Sequence, residues 1–335
     1  MDSSKSKQFR VAVVIPTFEA AAHVGRALDS LANLTNDPVT EILVADDASS
    51  DATREIVLEH ARHDSRIRLI PSPFDHPTGP GATRNRALAH ATAEWIAFLD
   101  ADDEFLPHRF EADAEALADH ARADARAHDS WDGCHNKVEV HFENAAARES
   151  YQRLGESESF AYDPAPSPQT FFEAQFEAGR GSLQLAGVTI RRELLHRVGG
   201  FDAHLSPSED LALWYKIGAL GRIGGASTAH PVSRYHVQER SAASRDPVTR
   251  YREQIRVALH VLRWGQRHGI PEARLRLLEQ QFQDVWHHLF ELRGDGKRPI
   301  PRQLVRLSQL VRARPGLLLT TRFWKDLRWS LSGAK

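Results

Sequence analysis

The chain carries one cysteine, Cys134, in 335 residues. A lone thiol closes no intrachain disulfide, so the fold needs no oxidising compartment. Nothing beside Cys134 in the sequence marks it as a nucleophile. There is no run of eighteen apolar residues, the length a membrane-spanning helix requires. The first eight residues are polar and lack the apolar centre of a secretory leader. Excess charge is missing too: 43 Lys and Arg stand against 45 Asp and Glu, for a net charge of −2 at pH 7. That balance gives no global sign of a nucleic-acid partner. No internal repeat is found. The expectation is an ordinary cytoplasmic globular protein with one large domain, or one domain and an appendage.

What is present is punctuated by acid. Glu94–Asp103 reads EWIAFLDADD: a mostly apolar run of the kind buried in a central parallel strand, then three carboxylates within four residues. Upstream, Arg10–Ile15 is a β-branched strand ending at Pro16-Thr17, and Glu41–Ala45 is a strand ending at Asp46-Asp47-Ala48-Ser49-Ser50-Asp51. Arg66–Ile70 makes a third strand before the Pro/Gly-rich loop 71–80. Helical spacing fills the intervals: Val24, Leu28 and Leu31 in one helix, a second starting near Asp51 with Ser49, Ser50 or Asp51 as its cap, and a third over 81–91. Strands alternating with helices predict a parallel sheet covered by helices. In such a sheet both acidic strand ends lie on one edge, where open α/β folds bind ligands. Crowded carboxylates resist ionisation, and a hard divalent cation such as Mg²⁺ or Mn²⁺ relieves the conflict. A solvated turn with capping aspartates is the plainer alternative.

Three chemistries use carboxylates on such an edge. A phosphoacceptor receiver needs its first acidic pair after strand one, but here that strand ends in Pro16-Thr17. A haloacid-dehalogenase-type phosphatase also needs its nucleophilic Asp there, with Thr or Val four residues on; Asp100 follows the fourth strand and precedes Glu104 by four. A nucleotide-sugar site remains. VAVVIPTFEAAAHVGRALDSL, EILVADDASSDAT, GPGATRNRALAHATAEWIAFLDADD and GVTIRRELLHRVGGFDAHLSPSEDLALWYKIG resemble, in that order, the family 2 glycosyltransferases of the GT-A fold, over roughly the first 240 residues.

The resemblance implies a Rossmann-type, mostly parallel sheet in an α/β catalytic domain over 8–240, and a metal-assisted inverting transfer from a nucleoside-diphosphate sugar, UDP being favoured. It assigns the nucleobase and ribose to Pro16, Thr17 and Glu19 (where the family more often has Asn) and to Asp46 and Asp47, with Ala48 where Gly is usual. Gly81, Arg84 and Asn85 match a donor-contacting segment, and an arginine fork suits phosphate or base oxygens. In Asp100-Ala101-Asp102 it gives the Mn²⁺ or Mg²⁺ to Asp102, a ribose or water-mediated contact to Asp100, and a loop-orienting or capping role to Asp103. Of Glu209-Asp210 it makes Asp210 the general base, although acids in a first helical turn also serve as caps. His236, in Ser233-Arg234-Tyr235-His236, is a further metal or diphosphate ligand. The implied partners are a nucleotide-sugar donor and a glycan, lipid-linked or small-molecule acceptor. The alternatives are a nucleotidyltransferase of related fold and a catalytically silent sugar-nucleotide-binding protein.

Elsewhere, the pattern predicts a helix from Pro107 to about His128, an alternating strand at Val138, Val140 and Phe142, and a polar acceptor-side loop or insertion over 143–168. Residues 245–335 read as an α-helical extension. Ile255, Leu259 and Leu262, then Leu275, Leu278, Phe282, Trp286 and Leu289, mark apolar faces that would cover the catalytic domain or a second subunit of a homodimer. From Lys297 to Lys335, ten basic residues interleaved with Leu, Phe and Trp face one acid, Asp326. That mixture suits either a peripheral contact with an anionic inner membrane face or aromatics packed on the catalytic domain beside solvated arginines.

Overall fold

Apolar strands buried on both faces need helices on both sides, and the chain order supplies them. The computed structural model describes residues 9–122, 130–153, 157–177, 181–227, 229–238 and 247–294. The expected alternation is realised by β1 (Val11–Thr17), α1 (Val24–Ala32), β2 (Val39–Asp46), α2 (Thr53–His63), β3 (Ile67–Ile70), α3 (Pro80–Leu88) and β4 (Trp95–Phe98). Then follow β5 (Glu104–Phe105), α4 (Glu111–Arg122), β6 (Gly133–His135), β7 (Lys137–Phe142), α5 (Ala145–Gln152), β8 (Ser159–Phe160), α6 (Phe171–Ala174) and β9 (Val188–Arg191). The first unit closes with α7 (Arg192–Val198), α8 (Glu209–Leu220), β10 (Ile223–Gly225) and β11 (Pro231–Val237).

Seven strands form one sheet in the order β10-β6-β9-β4-β1-β2-β3. β1 runs parallel to β2 and β4, β2 to β3, and β6 to β10; only β9 is antiparallel to its neighbours, β4 and β6. Val11, Val13, Ile15 and Val44 are fully buried, and α1 covers this core with Val24, Ala27, Leu28 and Leu31. The register places the site. Thr17 pairs with Asp46, and Val14 with Phe98, so Pro16-Thr17, Asp46-Asp47 and the turn after β4 emerge along one edge. A second sheet, β5-β11-β7-β8, joins the residue after that turn to the strand carrying His236.

Several local expectations are revised. The stretch 143–168 holds α5 and β8; Asn144 Oδ1 accepts the Ala147 N–H at 2.8 Å, an N-cap, and Ala147 and Tyr151 are buried beside Val237. α4 starts at Glu111 rather than Pro107, and 123–129 lie outside the described residues. At α2 it is Asp51, not Ser49 or Ser50, that accepts the Thr53 N–H, at 3.0 Å.

The chain divides into two compact units, residues 1–244 and 245–335. In the second, α9 (Pro247–Arg267) and α10 (Glu272–Gly294) pack on each other. Ile255, Leu259, Leu262, Leu278 and Phe282 are buried as the spacing predicts. A Cβ on Gly265 would come within 2.9 Å of Leu275, so that glycine permits the close approach. The basic segment 297–335 lies outside the described residues, as do the side chains of Trp286 and Leu289. Among the described residues no helix is long and apolar enough to cross a membrane.

Candidate active site

A cavity of about 340 Å³ opens at the carboxyl edge of β1, β2 and β4. Of the expected residues it gathers Pro16, Thr17, Asp47, Arg84, Asp100, Ala101 and Asp102. Glu19, Asp46, Gly81, Asn85, Glu209, Asp210 and His236 do not line it.

The turn after β4 supplies the acids. Asp100 Oδ1 accepts from Arg84 at 2.6 Å. Asp102 is half-buried; burial, and then the neighbouring Asp100, push its carboxyl above the usual range. Its backbone oxygen is held by Arg26 Nη2 at 2.5 Å. Asp103 is fully buried and points the other way. It accepts from the His236 N–H at 2.9 Å and from Gln184 Nε2 at 3.2 Å, so it fastens the acidic turn to β11.

The β2 pair is occupied by its own loops. Asp46, fully buried, accepts from Arg54 Nε at 2.6 Å and from the Ser49 N–H at 3.2 Å. Asp47 accepts the N–H and hydroxyl of Thr78 (2.9 and 2.7 Å) and the Gly79 N–H (2.8 Å). Burial raises its pKa, but these hydrogen bonds outweigh burial and hold it below the usual range. Asp47 thereby clamps the 77–79 loop that leads into α3. Glu19 accepts the N–H and hydroxyl of Ser50 (2.7 and 2.9 Å), away from the cavity. Ala48 sits at φ +65°, the left-handed conformation a glycine would take freely.

α3 and α8 meet behind the cavity. Arg84 is buried, and its Nη1 donates to Glu209 Oε1 at 2.9 Å while Nη2 holds Asp100. Burial opposes its charge, but Asp100 and Glu209 more than offset that and keep it protonated. Both terminal nitrogens of the expected fork thus bind protein carboxylates, while Nε makes no hydrogen bond among the described residues. Asn85 donates to the Phe201 carbonyl (2.8 Å) and accepts the Phe201 N–H (2.9 Å), pinning the loop between α7 and α8. In that loop Gly199 (φ +81°) ends α7 and Gly200 (φ +65°) lies against Asn85, where a Cβ would approach Oδ1 to 2.5 Å. Asp210, in the first turn of α8, is raised to about 6 by burial and then by Glu209; the Leu211 N–H and Arg84 pull the other way.

The family model for glycosyl transferase family 2 matches residues 12–158, which hold β1 to β4 and the acidic turn. Over that stretch the chain is similar to the glycosyltransferases of family 2. Among its relatives is the UDP-Glc:alpha-D-GlcNAc-diphosphoundecaprenol beta-1,3-glucosyltransferase WfgD of Escherichia coli, 26% identical over 70% of this chain and 80% of that protein. The putative teichuronic acid biosynthesis glycosyltransferase TuaG of Bacillus subtilis is 28% identical over 34% of this chain and 44% of its own length. The chain spans less than half the length of most curated relatives it matches. In three dimensions it resembles S. aureus TarS 1-349, with a TM-score of 0.61 at 19% identity over 92% of this chain and 82% of that one; this likeness shows the GT-A fold.

Two residues in and behind this site escaped the sequence pattern. Phe18, half exposed, stands on the cavity wall beside Thr17. Lys216, buried in α8, donates to the Gly200 carbonyl at 2.8 Å and pairs with Asp202 at 2.9 Å; burial lowers its pKa against that pairing. A lone aromatic between turn residues gives no periodic signal. Lys216 is flanked by apolar positions, a signal that a buried cation is paired.

For a divalent cation the donor set is partial. Among the described residues no group of three His, Cys, Asp or Glu side chains could hold a metal ion, so Asp100, Asp102 and His236 are not one ligand set. The His236 ring lies 3.2 Å from Glu143 and 3.5 Å from Glu104; burial, then Arg26, lower its pKa. Asp100 and Asp102 still fit a hard cation whose remaining ligands come from substrate phosphates and water. Their mutual repulsion is the observation that favours it.

Proposed function

We propose that the chain is an inverting glycosyltransferase, moving a sugar from a nucleoside-diphosphate sugar, with UDP favoured, to a lipid-linked or other glycan hydroxyl. One observation supports this above the others. The cavity at the strand edge is walled by Asp100 and Asp102, and Asp210 is one residue from a glutamate that shares an arginine with Asp100. The WfgD name, with a UDP-sugar and a diphosphoundecaprenol acceptor, favours the donor and acceptor classes.

In this mechanism Phe18 offers an exposed ring on which a nucleobase can stack, and Asp47 holds the 77–79 wall in place. Asp102, with Asp100, would hold Mn²⁺ or Mg²⁺, which when bound neutralises charge on the departing diphosphate. Asp210 takes the proton of the acceptor hydroxyl. The new bond forms at the anomeric carbon as the sugar–phosphate bond breaks on the opposite face, so the configuration inverts. Nucleoside-diphosphate release should be measured across a panel of nucleotide sugars, with polyprenyl-diphosphate-linked acceptors and with Mn²⁺ or Mg²⁺. Release coupled to an inverted product is expected. Pyrophosphate as the product, or a retained anomer, would refute the mechanism.

A further inference from the structure

Arg84 touches both halves of the site. Its nitrogens bind Asp100, 16 residues on, and Glu209, 125 residues on. One partner belongs to the turn facing the cavity, the other to the first turn of α8 beside Asp210. The guanidinium is a flat fork of fixed geometry, so displacing one carboxylate is felt by the other. The surroundings leave it little room. The Phe201 ring centroid is 5.4 Å from the guanidinium carbon. A Cβ on Gly81 would come within 3.1 Å of Glu209 Cγ, so the glycine lets α8 seat on α3. Lys216 and Asn85 fasten the intervening loop from either side.

Resting on the transfer mechanism above, we propose that Arg84 is a positioning residue rather than a donor ligand. It ties the acidic turn to α8 and, through Glu209, sets how readily Asp210 accepts a proton. The charged groups bearing on Asp210 are Glu209 on its own helix, Arg84 from α3 and Asp100 from the β4 turn. Glu209 and Asp100 hinder its ionisation and Arg84 assists it, so removing either kind of charge moves Asp210 in opposite directions.

The test is the titration midpoint of Asp210 in the full chain, read by carboxyl-carbon NMR and assigned with Asp210→Asn. Glu209→Gln should lower the midpoint by about one pH unit and Arg84→Gln should raise it by about as much. Arg84→Lys keeps the charge without the fork; it should hold the midpoint and UDP affinity near wild type while kcat falls and the donor KM does not change. Midpoints unmoved in Glu209→Gln would overturn the proposal, and that variant carries the test if Arg84→Gln fails to fold. So would a tenfold loss of UDP affinity in Arg84→Lys by calorimetry, which would make Arg84 a donor ligand. Normal transfer by Asp210→Asn would instead remove the base from the mechanism, and the midpoints, read without any reaction, would still decide the coupling.

Discussion

Gly200 is tightly packed in the loop before α8, and Gly200→Ala measures how much that matters. The residue sits at φ +65°, where an L side chain costs about 1–2 kcal/mol. Its new Cβ would stand 2.5 Å from Asn85 Oδ1, far inside contact distance. Asn85 cannot yield without giving up its two hydrogen bonds to Phe201, each worth about 0.5–1.5 kcal/mol. Alanine returns about 0.4–1 kcal/mol by restricting the unfolded chain. The net expectation is a loss of about 2–4 kcal/mol. In the double variant with Asn85→Ala the clash has no second party, so the total should fall about 1–2 kcal/mol short of the sum of the singles. Urea unfolding can be followed through Trp214 of α8 and Trp95 of β4, both buried. A single-variant loss under about 1 kcal/mol, or strict additivity, would show that the loop relaxes around the methyl group.

Other consequences can be checked separately. Asp210 must be ionised to act as a base, and its pKa is raised to about 6. So kcat/KM should be flat above pH 7 and fall about tenfold per unit well below 6, while Asp210→Asn should bind donor yet lose about 10²–10⁴-fold in transfer; an acidic limb that stays near 4 would contradict this. Asp102→Ala should abolish metal-dependent UDP binding with the fold intact, and calorimetry showing wild-type affinity would remove Asp102 from the site. Ala48→Gly should stabilise the chain by up to about 1 kcal/mol, because it relieves the left-handed strain at the cost of a freer unfolded chain; a lower urea midpoint would contradict that. For 297–335, vesicle co-sedimentation should show a salt-sensitive preference for anionic lipid that disappears on deletion of the segment.

Much of the frame was legible because local pattern and long-range position agree. Val11–Ile15 and Trp95–Phe98 are apolar runs that could only be interior strands, and their ends had to share an edge once the sheet was parallel. The acids at 100 and 102 were visible for the same reason. Asp46 and Asp47 show the limit of that logic: both stand at the edge, yet their oxygens are taken by Arg54, Ser49, Thr78 and Gly79, partners that only the folded loops bring near. Arg84 likewise reads as a free cation until α8 arrives from 125 residues away. The three-residue strands β6 and β10 are too short to carry a period, and α5 was hidden in a polar stretch despite its Asn144 cap. At the start of α4, Arg109, two residues before the helix, and Asp113 in its first turn form a fully buried pair with Asn136 and Thr189. From sequence alone they are indistinguishable from a solvated i, i+4 pair on a helix face.

The antiparallel β9 has a further consequence for the growing chain. β4 finds β1 at once, but its other neighbour, β9, is made about 90 residues later. At about 5–20 residues per second, the ribosome leaves that flank of β4 unpaired for about 5–20 s. β6 waits a shorter time for β9 and about as long for β10. During that interval the nascent sheet presents an apolar strand with open backbone hydrogen-bonding groups, the surface through which partly made chains stick to one another. The antiparallel strand that bridges β4 and β6 is therefore also the one whose late arrival makes the emerging protein a client for chaperones.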